Sequence, residues 1–217
     1  MNNKEKAKII LRILNKTYPK VTIPLNYKNT FTLLVSVLLS AQCTDVNVNN
    51  VTKDIYPKYN RPHHFVKLGR KKIEKLIKRI GIFRVKAKSI FNLSKTLVEK
   101  YKGNVPKTYE ALEELPGVGH KTASVVMSQG FGFPAFPVDT HIHRLAQRWG
   151  LTNGKNVVQT ERDLKKIFSK RHWNKLHLQI IWYGREYCKA RDCYGITCKI
   201  CKSCYPNRKK SIKTKKA

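Results

Sequence analysis

The chain has 217 residues, 41% of them apolar and 10% aromatic, which is enough to bury a core and too much for a disordered segment. Lys and Arg number 45 against 13 Asp and Glu, a formal net charge of +32. An excess of this size points to a polyanion, nucleic acid before any other, because phosphates release condensed counterions as Lys and Arg approach; a lysine-rich solubilising surface is the plain alternative.

In chain order, Ala7, Ile10, Leu11 and Leu14 repeat at helical spacing and predict a first amphipathic helix that ends at Tyr18-Pro19. Thr30 to Ser40 is apolar all round and reads as a buried helix. After Asp45 the helical period resumes through Val48, Val51 and Ile55. Further helices are expected at 65–68, 73–80, 85–101, 109–115, 121–130, 140–149, 158–167 and 175–187, joined by short connections that carry Gly or Pro. Strand signals are nearly absent, so the expected class is all-α. The longest apolar run, Phe31 to Leu39, falls far short of a membrane span, and the N-terminal stretch is interrupted by Arg12. A soluble, intracellular protein, in cytoplasm or nucleoid and without a membrane partner, is expected. The stretch after Cys204 holds six Lys or Arg and almost nothing apolar, and reads as a mobile, solvated charge run or a nucleic-acid arm.

Three stretches carry chemistry. In Leu115-Pro116-Gly117-Val118-Gly119-His120-Lys121, two glycines flank an apolar residue where a helix begins. Such a turn lets backbone N–H groups converge on a phosphate, with the helix dipole favouring negative charge. Lys121 falls in the first turn of that helix, where the positive end of the dipole disfavours a protonated amine. A neutral amine is a nucleophile that can form a Schiff base at a sugar's anomeric carbon, while a charged one would simply pair with phosphate. Asp139, in Val138-Asp139-Thr140-His141, stands at an N-cap position. There it either satisfies backbone donors or serves as a carboxylate that stabilises a cationic sugar. Five of the six cysteines crowd between Cys188 and Cys204, a pattern that suits a metal site better than a disulfide framework.

Four runs, Leu38 to Asn49, Ile80 to Ile90, Leu115 to Ala123 and Val138 to Arg148, together resemble the endonuclease III family of helix-hairpin-helix DNA glycosylases, in order along nearly the whole chain. The resemblance implies two helical domains: a six-helix barrel over 23–134, and a second domain built from 1–22 with 135–217, with DNA in the cleft between them. By the same token Lys121 is the Schiff-base lysine and Asp139 the catalytic aspartate. Gly117, Val118 and Gly119 hold a phosphate, and Gln42 fills the gap left by an extruded nucleotide. Arg84 and Lys86, with Lys88, are backbone contacts or merely a solvated face. His120 stands where the family often has arginine, and can still touch phosphate or base. The implied activity is a bifunctional glycosylase and abasic-site lyase acting as a monomer on damaged double-stranded DNA. Alternatives are another lesion specificity within the superfamily, such as mismatched adenine or 8-oxoguanine, or a hairpin module that only binds DNA.

The family usually carries a [4Fe–4S] cluster at the terminal cysteines. Here nine, two and two residues separate Cys188, Cys198, Cys201 and Cys204, with Cys193 inside the first gap, a departure from the family's usual spacing. Those four are the expected ligands, with Cys193 the alternative fourth and tetrahedral zinc the alternative metal.

Overall fold

The computed structural model describes residues 1–217 and is built from eleven α-helices with no strand. It divides into two compact units: Pro24–Phe133, and Met1–Ile23 together with Pro134–Ala217.

In the first of these, helix α2 (Thr30–Ser40) is the centre of the core. Every residue from Phe31 to Leu39 is buried, as an apolar run with no polar face requires. Full burial of each Leu, Val or Phe contributes roughly 1.5–3 kcal/mol. The two buried hydroxyls on α2 are satisfied internally: Ser36 Oγ donates to Asn26 O at 2.9 Å, and Thr32 closes a capping box with Asn29. Around α2 lie α3 (Asp45–Thr52), α5 (Phe83–Tyr101) and α7 (His120–Val125), the last running into a π turn at Val126–Gly130. α5 also packs along α4 (Pro62–Leu76). The two helices expected at 65–68 and 73–80 are the stretches of α4 on either side of Gly69, whose φ of 72° and ψ of 159° are not helical and break the ladder there; the second stretch ends at Leu76 rather than at 80.

In the second unit, α1 (Asn3–Thr17) buries Ala7, Ile10 and Leu14 against α10 (Trp173–Glu186). α8 (Thr140–Arg148) adds Ile142 and Leu145, and α9 (Val157–Ile167) adds Leu164. Gln179 on α10 donates to Leu14 O and Tyr18 O at 3.3 and 2.9 Å, tying the end of α1 to α10. The basic tail, expected to be mobile, is tied down instead. Ile212 donates its N–H to Tyr194 O, Gln147 brackets Lys215 with two bonds, and Arg208 donates to the Arg148 and Gly195 carbonyls. No helix is long and apolar enough to cross a membrane.

Candidate functional site

The glycine turn is built from its neighbours. α6 (Tyr109–Glu113) starts under Thr108, whose Oγ1 accepts from the Ala111 N–H, and is followed by buried Leu115. Val118 donates its N–H to Leu115 O at 3.0 Å and buries its side chain, anchoring the turn. Gly117 and Gly119 stay on the surface. Gly117 has φ 82°, and a Cβ there would lie 2.8 Å from Ser89, so both conformation and space demand glycine. Gly119 is the N-cap of α7, has no side chain to cap the first turn, and faces open space. Lys121, second residue of α7, is exposed beside it. His120 Nδ1 lies 2.7 Å from Glu113 Oε1 and its ring stacks on Tyr109, which ties the start of α7 back to α6.

Two further loops of the same unit lie side by side. Past the end of α2, Gln42 is exposed with φ 54°, a left-handed conformation unusual for glutamine. At Gly81-Ile82, before α5, Ile82 has φ 56° and is 53% exposed, which for a β-branched residue is a genuine outlier. A Cβ on Gly81 would sit 3.6 Å from Gln42 O, and Asn47 Nδ2 donates both to Arg79 O and to Cys43 Sγ, joining the loops.

Arg84 and Lys88 are exposed on the first turns of α5, but Lys86 is not. The expectation that Lys86 contacts a DNA backbone is overturned: it is 7% exposed, and its ammonium donates to Leu39 O at 2.9 Å and Ala41 O at 2.6 Å. It falls on the inward face of α5 with Ala87 and Ile90, and the carbonyls ending α2 attract a cation. Burial pushes its pKa down from the usual lysine value.

In the other unit, Asp139 is half-buried at the N-cap of α8, where Oδ1 accepts from the Ile142 N–H at 2.8 Å. Its helix is pinned by His143, a buried ring whose Nδ1 lies 2.8 Å from Thr160 Oγ1 and whose pKa burial pushes down.

The sulfur atoms of Cys188, Cys193, Cys198 and Cys201 all lie within 4.8 Å of one another, and all four residues are buried. Of the two contenders for the fourth place the structure brings in Cys193, not Cys204. Tyr194 and Gly195 are both left-handed and turn the chain back, so that Cys193 Sγ accepts from the Cys198 N–H. Cys204 ends α11 (Lys199–Cys204), one helical turn beyond Cys201, and burial pushes its thiol up to about 11. Hydrogen bonds from Cys188 and Cys201 push the Cys198 thiol well down, toward thiolate. Four buried sulfur donors without a carboxylate or imidazole among them fit a soft centre, and these fit a [4Fe–4S] site. Arg148, 2% exposed, braces the loop by donating to the Cys188, Lys189 and Ala190 carbonyls, with Nη1 3.4 Å from Cys188 Sγ.

Residues 35–170 match the model of the HhH-GPD superfamily of base excision DNA repair proteins. The chain is 39% identical over 214 residues to endonuclease III of Bacillus subtilis, 98% of each chain being aligned. It is 43% identical over 189 residues to endonuclease III of Escherichia coli K12, covering 87% of this chain and 90% of that one. The chain belongs to the endonuclease III family. A solved structure of a trapped covalent endonuclease III–DNA intermediate superposes on it with a TM-score of 0.86 at 39% identity, over 94% of this chain and 99% of the other.

In endonuclease III terms, one unit thus carries the hairpin, Lys121, Gln42 and Arg84, and the other carries Asp139 and the cysteines. Sequence reasoning missed Ile82 and Arg148. Ile82 had a faint signal, an apolar residue directly after a glycine at a helix start. Arg148 had none, being one cation among many.

Proposed function

We propose that the protein is a bifunctional DNA glycosylase and abasic-site lyase of base excision repair, removing oxidised pyrimidines from duplex DNA. The observation that carries this reading is Lys121, an exposed amine two residues past a glycine-bounded hairpin, in a chain of the family whose relative has been trapped covalently on DNA. In it, N–H groups of the hairpin and the first turn of α7 hold a phosphate, which brings deoxyribose to the amine. The Lys121 Nζ lone pair attacks C1′, the bond from C1′ to the base nitrogen breaks, and the base leaves with the electron pair and takes up a proton. The nitrogen loses a proton as the sugar ring opens to an imine. Loss of a C2′ proton then expels the 3′ phosphate oxygen, and water releases the lysine.

Asp139 supplies negative charge to the sugar as the glycosidic bond weakens. Gln42 fills the gap left by the extruded nucleotide, with Ile82 as an apolar neighbour that wedges between bases. Arg84 and Lys88 contact backbone phosphates. The reaction transfers no electron. A [4Fe–4S] cluster held by Cys188, Cys193, Cys198 and Cys201 would therefore act by cross-linking the basic loop. The protein works as a monomer on chromosomal DNA, in cytoplasm or nucleoid.

A panel of duplexes, each with one lesion, tests the reading: nicking 3′ to the lesion is expected, and borohydride during turnover should trap protein on DNA. Nicking without an adduct would remove the imine step, and binding without base release would leave a module that only holds DNA. The ligand set has its own test. Cys193→Ala should lose bound iron, sulfide and visible absorption, while Cys204→Ala keeps all three. The reverse pattern would make Cys204 the fourth ligand.

A further inference from the structure

Ammonium groups buried in a protein are costly and rare unless fully paired, and most lysines of so basic a chain have no reason to leave water. Lys86 has left it, and both its hydrogen bonds go to one place, the carbonyls of Leu39 and Ala41 at the end of α2. The next residue is Gln42. The Ala41 carbonyl belongs to the peptide group that bears the Gln42 N–H, so fixing its direction fixes the plane from which the glutamine φ is measured. Gln42 holds φ 54°, a conformation unfavourable for a non-glycine residue that persists only when its surroundings over-determine it. The contacts available to do so are few. The Cys43 N–H donates to Ser40 O at 3.1 Å and closes a turn with Gln42 in its third position, Gly81 lies against Gln42 O, and Asn47 ties Cys43 to Arg79, but none of these reaches the Ala41 carbonyl, whose direction sets that turn's central peptide.

We propose that Lys86 is a positioning residue for base excision: from inside the protein its ammonium clamps the end of α2 and aims Gln42 into the duplex. The inference rests on the reading of Gln42 as the residue that fills the gap. Lys86 itself touches neither DNA nor the reacting sugar. Its work is to hold in advance a side chain that otherwise would have to be ordered as the nucleotide leaves the stack, a cost of the same order as unstacking itself.

The test is a double-substitution cycle on the holoenzyme, with single-turnover base release from a lesion duplex as one readout. The second is cleavage of an abasic site in a single strand, where no stack has to be filled. Gln42→Ala and Lys86→Met should each slow duplex release by roughly tenfold, the double variant no further, and Lys86→Met should not slow single-strand cleavage. If Gln42→Ala slows the duplex reaction while Lys86→Met does not, or if the two losses multiply, Gln42 keeps its role and the clamp is overturned. If Gln42→Ala runs at the wild-type rate, the reading of Gln42 fails and takes the clamp with it. Equal slowing of both substrates by Lys86→Met makes the lysine a general structural group and also overturns the proposal. Should Lys86→Met not fold, Lys86→Gln, which keeps an N–H donor without charge, replaces it under the same criteria.

Discussion

Lys121→Ala is expected to yield no borohydride-trapped adduct on any lesion duplex and to lose roughly 10³-fold or more in strand cleavage, the scale on which a covalent nucleophile matters. Because the amine displaces the base, base release should fall with it. The side chain is exposed and sits on a short helix whose start is held by the His120–Glu113 pair and by buried Val118. The substitution therefore removes chemistry and spares the fold: thermal stability should change by no more than about 0.5 kcal/mol, as for other surface positions. Affinity for lesion DNA should also survive, since the hairpin N–H groups and the other cations remain. Quantifying the adduct by gel shift, beside a melting curve and a binding titration at one fixed salt concentration, decides the matter. Persistence of the adduct in Lys121→Ala would move the Schiff base to another amine.

Asp139→Asn separates two jobs done by one carboxylate. Asp139 is an N-cap, and Asn is as good an N-cap as Asp, so α8 should keep its first turn and the melting temperature should barely move. The negative charge is lost. If that charge stabilises the cationic sugar, the single-turnover rate of base release should drop by about 10²–10⁴-fold with little change in DNA affinity. Asp139→Ala would confuse the issue, since losing the cap alone costs about 1 kcal/mol. A near wild-type rate in Asp139→Asn would leave the residue as a cap and nothing more.

The places of those two residues in the fold, the first turn of α7 and the N-cap of α8, were legible because their signals are local. A glycine turn opening a helix, and an acid at an N-cap, are patterns a few residues long whose physical reasons lie in the same few residues. The helices were legible for a similar reason, down to the break in α4 at Gly69, where one residue of positive φ separates the two stretches that period alone marks. What escaped depends on chain that is distant in sequence. Lys86 is a lysine in a lysine-rich protein, and only the arrival of the α2 carbonyls, more than forty positions earlier, explains its burial. Its neighbours Ala87 and Ile90 marked the inward face of α5, a clue that charge reasoning overrode. The fourth sulfur turned on whether the chain reverses at Tyr194-Gly195, which cysteine spacing does not encode. Ile82 adopts its strained backbone beside the loop after α2, a neighbour the local sequence does not announce.

The way α1 is anchored bears on how the protein is made. The partners of this helix come much later in the chain: the Gln179 amide that meets its last turn and the Tyr205 hydroxyl that takes the Lys6 amine at 2.7 Å lie more than 160 positions further on. At about 5–20 residues per second, the stretch from Thr17 to Tyr205 takes roughly 10–40 s to appear. Until α8 to α10 appear, Ile10 and Leu14 lack the partners that cover them, while residues 24–133 already hold everything their own core needs. Translation thus completes the hairpin-bearing unit before the other, and leaves the greasy face of α1 to be sheltered until residues 134–217 arrive.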